Sequence, residues 1–303
     1  KAVGRRLTSV ECCLLIDEAA VTIVAGNIRR SAGMRQFAAD DHTAASAKDN
    51  LWQQDAEGNW RIDPERDALR MANHTRVYHT RPSKEVVHAA VTKQFLSGEG
   101  AIQFAPEAIA RSNADLLSTQ ELRSEFIEIY CDQGREEAGR WLQINHGPIG
   151  DAELEHRLSR YGLNPCGEIL GADFHCNLAE IHLNQIDPSD QEGQNDAFRA
   201  GALSVACLLN HRFEVERYRQ SREWDPIVGV SFTGLFDFFV HAFGADWLRW
   251  WGAGRPETDE GRAFKAKEAE YLSRWKQVVN ETVWDYCDRH GLRRPNRCTT
   301  VQP

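Results

Sequence analysis

No two cysteines in this sequence are spaced Cys-x-x-Cys, so the usual mark of a zinc ribbon or a thioredoxin-like redox site is missing. The eight cysteines (Cys12, Cys13, Cys131, Cys166, Cys176, Cys207, Cys287, Cys298) are scattered over 303 residues, which excludes a small secreted disulfide framework. Long apolar runs are also missing, because charges interrupt every one. Neither a signal peptide nor a membrane span is expected, and the chain should be soluble and cytoplasmic. Basic charge is in short supply: 36 Lys and Arg stand against 45 Asp and Glu, for a net charge of -9. An acidic surface repels phosphates, which argues against a general nucleic-acid binder and means that an anionic substrate needs local donors. There is no internal repeat and no low-complexity tract. Lys1 is not preceded by an initiator Met, and Thr299-Thr300-Val301-Gln302-Pro303 stops in what reads as a strand. Domains usually end in exposed polar linkers, so the chain is expected to be a piece of something longer.

The composition is otherwise that of a globular protein. Hydrophobic residues make up 42%, and nine Trp and thirteen Phe can supply a large core for one α/β domain or two smaller ones. Thr8 to Glu11 fits a capping box and predicts a helix to about Val24. A tight Gly/Asn turn, 25–32, follows. Residues 38–66 are polar and read mostly as loop. Ser83 caps a predicted helix to Leu96 with Gly98 past its end, and Ser118 to Glu121 is a second capping box for a helix to about Cys131. Residues 176–184 alternate as a strand, and 227–232 suit a buried strand. A helix over 197–220 places Ala202, Val205, Leu209 and Phe213 on one face. A long helix over 262–290 puts Tyr271, Trp275, Val278, Val279, Thr282 and Tyr286 on its core side, and Gly291 ends it. A short β-type segment, 297–301, closes the chain. Strands separated by long helices predict an α/β fold with parallel strands.

The segment with most chemical content is Asn164-Pro165-Cys166-Gly167-Glu168. A thiol between Pro and Gly is presented at a loop tip. A carboxylate two residues on can take or hold a proton, and an amide two residues back can donate to the same hydroxyl. The same residues also suit a structural cysteine in a turn, since free Cys is among the most buried residue types. Cys131, Cys207 and Cys287 fall at apolar helical positions and read as core, as do Cys12 and Cys13. Cys298 reads as structural. His175 and His182 flank Cys176, but strand alternation sends His175 and Cys176 to opposite faces, so no metal site is expected. Trp250-Trp251 reads as packing.

The run NPCGEI, followed after a short gap by FHCNLAEIHLN, resembles the finger loop and following strand of class II ribonucleotide reductases, the monomeric ribonucleoside-triphosphate reductases most of all. Other segments agree, in the family's order. AGNIRRSA (25–32) resembles the loop linking effector binding to substrate choice, GVSFTGLFDFF (229–239) a barrel strand with its helix, and TTVQP (299–303) the start of the substrate-phosphate loop. The resemblance implies one catalytic region over 1–303, part of a ten-stranded α/β barrel with its cysteine on the finger loop at 162–169. It implies adenosylcobalamin as cofactor and ribonucleoside triphosphates as substrates, with Cys166 carrying a transient thiyl radical. Glu168 would accept the 3′-hydroxyl proton, Asn164 would bind the sugar hydroxyls, and Cys176 would be one of two cysteines that reduce the 2′ carbon. Asn27, Arg29, Arg30 and Ser31 would lie in the effector-responsive loop, and Gln302 and Pro303 would begin the phosphate loop. Implied partners are deoxynucleoside triphosphate effectors, thioredoxin or a similar dithiol, and the remaining segments of the same enzyme.

The departures from the family pattern are specific. The second reducing cysteine lies upstream of the AGNIRRSA loop in the family, and the C-terminal cysteine pair and most of the phosphate loop are also missing. A split gene or an intein after Pro303 would account for this. Two other functions stay open. A glycyl-radical relative would need a C-terminal glycyl-radical loop, which the chain does not contain. A non-catalytic fragment, active only after assembly or splicing, would expose unpaired strand edges.

Overall fold

The computed structural model describes residues 3–22, 33–175 and 177–301. The chain divides into two compact units, Lys1–Leu170 and Gly171–Pro303.

The first unit begins with α1 (Ser9–Val21), which opens on the expected capping box. The Thr8 hydroxyl accepts from the Glu11 N–H at 3.2 Å, and the Glu11 carboxylate accepts from the Thr8 N–H at 2.9 Å. The expected helix end at about Val24 lies outside the described residues. Next come β1 (Gly33–Ala38), α2 (His42–Ala45), β2 (Trp52–Gln54) and β3 (Trp60–Ile62). The expectation of loop over 38–66 is corrected here: β2 and β3 form an antiparallel hairpin. Its turn is built by Asp55, whose carboxylate accepts from the N–H groups of Glu57 at 3.1 Å and Asn59 at 2.9 Å. Polar turn chemistry dominates the composition and hides the two short strands beside it.

β4 (Ala72–Tyr78) runs parallel to β1. α3 (Lys84–Ser97) follows, capped as expected by Ser83 and stopped by Gly98 in the left-handed region at φ 72°. β5 (Ala101–Phe104) then pairs parallel with β4, giving the order β1-β4-β5. Four helices complete this unit: α4 (Ala105–Ser112), α5 (Gln120–Gln133), α6 (Arg135–His146) and α7 (Asp151–Leu158). Ile109, Leu117, Phe126, Ala138 and Leu142 form their closed core. The cap of α5 is Thr119, accepting from the Leu122 N–H at 3.3 Å, and not Ser118 as its capping-box spacing suggested. Arg123 donates to the carbonyls of Leu117 and Ser118, which keeps those residues outside the helix. Two short strands, β6 (Gly162–Leu163) and β7 (Leu170–Gly171), flank the 164–169 loop.

The register assigns the two faces of the β1-β4-β5 sheet. Met34 pairs with Asn73, Gln36 with Thr75, and Val77 with Gln103, so these side chains share one face. Arg35, Phe37 and His74 point to the other. There Arg35 is ion-paired with the fully buried Asp17 of α1, and His74 packs against α2.

In the second unit, β8 (Asn177–His182) leads through a short 3-10 turn to α8 (Gln191–Leu208) and α9 (Glu216–Trp224). The single helix expected over 197–220 is thus two helices. The Arg222 guanidinium takes the carbonyls of Leu209 and His211, folding the chain back between them and leaving Phe213 outside α8. β9 (Val228–Thr233) pairs parallel with β8 over six residues, as the buried run suggested, and Thr299 adds a parallel bridge to Val230. α10 (Leu235–Phe243), α11 (Ala245–Gly252) and α12 (Asp259–Arg289) follow. α12 starts at its Thr258 cap and buries Trp275, Val279 and Tyr286, while Tyr271, Val278 and Thr282 are half-buried. Trp275 stacks on Phe198 of α8 at 5.0 Å, joining the longest helix to the sheet-covering one. The architecture is mixed α/β with parallel strands. No described helix is long and apolar enough to cross a membrane.

Candidate functional site

The 164–167 segment is a β-turn, closed by the Gly167 N–H donating to the Asn164 carbonyl at 3.0 Å. Each residue contributes one constraint. Pro165 occupies the second position, where its ring fixes φ. Cys166, third, is not among the residues with positive φ, which excludes a type II turn. Gly167 takes φ 78°, a conformation that side chains strain to adopt. The Cys166 side chain is left exposed at the tip, as the Pro-Cys-Gly run suggested.

Asn164 and Glu168 meet beneath it. The Asn164 amide donates to the Glu168 carboxylate at 2.6 Å, and its carbonyl oxygen accepts the Ile169 N–H at 3.1 Å. The thiol, the carboxylate and the amide therefore belong to one small loop, with the amide already oriented by the carboxylate. A cavity of about 290 Å³ opens beside the thiol, lined by Cys166 and Pro165, by Asn73 and Thr75 of β4, and by Glu99. Glu99 is paired with the buried ammonium of Lys48 at 2.6 Å, so one wall of the cavity carries a neutralised charge.

Side chains of the sheet hold this loop, and sequence reasoning missed them. Gln36 of β1 accepts the Leu163 N–H at 2.9 Å and donates to the Tyr161 carbonyl at 3.0 Å. Gln103 of β5 donates to the same carbonyl at 2.9 Å. Asn73 of β4 donates to the Pro165 carbonyl at 2.7 Å. The only usable signal was strand alternation through Met34-Arg35-Gln36-Phe37, which puts an amide on one face but does not say what it meets.

The other expected site residues divide clearly. Cys176, the loop residues Asn27, Arg29, Arg30 and Ser31, and the chain-end residues Gln302 and Pro303 all lie outside the described residues. Cys287 and Cys298 are buried core thiols, pushed up to about 11 and about 12 by burial. Cys131 is half-buried. Cys207 is exposed, against the expectation of core packing: α8 buries Phe198, Ala202, Val205 and Ala206, and Cys207 falls on the opposite side. Cys12 is likewise exposed on α1, with Cys13 half-buried. The His175 ring meets Phe213 edge-on at 5.1 Å, and His182 is exposed on β8. Trp250 is buried and donates to the Pro256 carbonyl at 3.0 Å, whereas Trp251 is 45% exposed, so only the first of the pair is core.

No family model matches the chain. It is 26% identical, over 313 aligned positions, to an adenosylcobalamin-dependent ribonucleoside-triphosphate reductase from Levilactobacillus brevis, covering 100% of this chain and 35% of that protein. A protein of the same description from Lacticaseibacillus paracasei is 25% identical over 309 positions, covering 99% of this chain and 34% of its own length. The chain thus spans about a third of the length of the curated relatives it matches. Among solved structures, the crystal structure of a B-12 dependent (class II) ribonucleotide reductase superposes with a TM-score of 0.59 at 18% identity, over 98% of this chain and 35% of that one, which shows a shared fold.

Proposed function

We propose that this chain, a partial class II ribonucleotide reductase by its motifs and its relatives, supplies the radical-bearing segment of an adenosylcobalamin-dependent reductase of ribonucleoside triphosphates. The observation that carries the reading is the exposed Cys166 thiol on a constrained turn, beside a cavity and in the same short loop as the Asn164–Glu168 pair. In this reading 162–169 is the finger loop, and 1–303 belongs to one catalytic ten-stranded barrel. Ligand pockets usually measure roughly 300–1,000 Å³, so the cavity here suits part of a nucleotide and not a corrin. The thiol fits the cofactor in one respect: it is exposed, within reach of a group approaching from outside the loop. Adenosylcobalamin, when bound, supplies the radical by homolysis of its cobalt–carbon bond.

The residues of the chain do the rest. Cys166, as a thiyl radical, takes the hydrogen from the 3′ carbon of the ribose. Glu168 takes the 3′-hydroxyl proton, and Asn164 turns its second amide hydrogen to the sugar hydroxyls. Cys176 and a second cysteine supply two electrons and two protons and become a disulfide as the 2′-hydroxyl leaves as water, and the Cys166 thiol then returns its hydrogen to the 3′ carbon. Thioredoxin or a similar dithiol then reduces that disulfide. Asn27, Arg29, Arg30 and Ser31 answer deoxynucleoside triphosphate effectors, and Gln302 and Pro303 begin the phosphate loop. The enzyme works in the cytoplasm.

The test is Cys166→Ser in the reductase that carries this segment, assayed for deoxynucleotide formation and, separately, for nucleotide binding. Reduction is expected to vanish while binding stays within about twofold, because the thiol is needed for the chemistry and not for ground-state affinity. Retained turnover overturns the assignment. A second reading, that the chain acts only after joining further polypeptide, is favoured by Phe95 and Leu96 of α3, which are 86% and 78% exposed.

A further inference from the structure

The face of a sheet that meets a neighbouring layer is normally apolar. The face beneath the Cys166 turn is mixed: beside Met34 and Val77, each of three adjacent strands presents one side-chain amide, Gln36, Asn73 and Gln103, and all three bond to loop backbone. The Asn73 contact differs from the others in position. The Pro165 carbonyl belongs to the planar peptide unit that also carries the Cys166 N–H. Fixing that carbonyl fixes the plane, so the direction in which the Cys166 Cα–Cβ bond leaves the chain depends only on rotation about the Cys166 N–Cα bond. The Pro165 ring holds the rotation before the plane, and the Gly167 to Asn164 hydrogen bond holds the turn after it. Only the cysteine's own χ1 is left. The Gln36–Gln103 pair does the same one step earlier, gripping the Tyr161 carbonyl from two strands and the Leu163 N–H from one.

We propose that Asn73, seconded by Gln36 and Gln103, is a positioning residue that aims the Cys166 thiol by holding the Pro165 carbonyl. The proposal rests on the reading of Cys166 as the reacting thiol. It gives that reading a reason for the three amides on the sheet face: a radical that must remove one hydrogen from one carbon tolerates little misplacement, and an error of about 1 Å costs on the order of a hundredfold in rate.

The test uses the chain with its other accessible cysteines replaced by serine and a nitroxide label on Cys166. Asn73→Asp keeps the side-chain shape, removes the donor and sets a carboxylate against the carbonyl. The electron paramagnetic resonance spectrum is expected to change from an immobilised to a mobile line shape. The same label placed on Cys207 instead is expected to keep its line shape. Gln103→Met, which removes a donor without adding charge, is expected to loosen the label to a smaller degree. Hydrogen exchange gives an independent measure: the Gly167 amide should exchange about tenfold faster in Asn73→Asp, the effect of losing one hydrogen bond of ordinary strength, while amides in α6 stay unchanged. An unaltered line shape at Cys166 in both variants overturns the proposal. Equal loosening at Cys166 and Cys207 also overturns it, since that reports general loss of structure. Reduction retained in Cys166→Ser would instead remove the reading on which the proposal stands, whatever the line shapes show.

Discussion

His74 sits on the sheet face opposite Cys166, only 4% exposed, and its burial should make the first unit sensitive to mild acid. Desolvation, helped by the Lys48 charge and less by that of Arg35, lowers its pKa from 6.5 to about 4, against an opposing hydrogen bond with the Ala44 backbone. The sign follows directly. Above pH 6.5 the ring is neutral in both folded and unfolded chains and costs nothing. As the pH falls from 6.5 toward 4, the unfolded chain takes up a proton that the folded one refuses, and stability drops; below about 4 both states are protonated and the loss is complete. At about 1.4 kcal/mol per unit, the full gap is worth about 3 kcal/mol, and about 2 kcal/mol of it falls between roughly pH 7 and pH 5. That interval lies above the ordinary range of carboxylates. The perturbation is His74→Gln, which fills similar space and does not titrate. Urea unfolding of both proteins at several pH values gives the difference in stability, from which the other histidines and Asp17 cancel. His74→Gln is expected to be the less stable at neutral pH and to gain about 2 kcal/mol relative to the parent by about pH 5. A difference that stays flat to within about 0.5 kcal/mol across this interval refutes the argument. It would mean that the His74 ring reaches solvent or finds an acceptor when protonated.

Two further substitutions test the fold. Thr119→Ala should cost about 1 kcal/mol by removing the cap of α5, whereas Ser118→Ala should cost almost nothing, and denaturant midpoints distinguish them because the expected capping box required the reverse. Gly234→Ala should destabilise the second unit by about 1–3 kcal/mol, since Gly234 has φ 72° and an added Cβ would lie 2.8 Å from Asn184 Cβ and 3.0 Å from its backbone nitrogen; an unchanged thermal midpoint would show that the turn into α10 can relax.

What could be read from the sequence was what neighbouring residues decide among themselves. The Thr8–Glu11 box, the Ser83 cap and Gly98 stop, and the turn around Cys166 are each closed within a few residues, and all formed as expected. The buried run at 227–232 was legible because a strand shielded on both faces is apolar throughout. Failures came where a distant group intervened. The break after Leu208 depends on Arg222 reaching back to carbonyls 11 and 13 residues earlier. No helical pattern announces it, and Phe213 kept the apolar period running across the gap. The exposure of Cys207 was missed for a related reason: residue type suggested burial, but the angular position on α8 decided it.

The candidate site shows the same division within a single loop. Asn164, Pro165, Cys166, Gly167 and Glu168 carry in their own chemistry the turn, the exposed thiol and the amide–carboxylate pair. What holds that loop is 92 residues away in the case of Asn73 and 125 away in the case of Gln36 with Tyr161. An asparagine has poor β propensity, and Asn73 is exposed on its strand, so nothing local distinguishes it from any other polar surface residue. Its value comes from the register of β4 between β1 and β5, which sets it under the Pro165 carbonyl. A reacting group can therefore be recognised from a short motif, whereas the residues that aim it are chosen by tertiary structure and become visible only through hydrogen bonds to a segment far away in the chain.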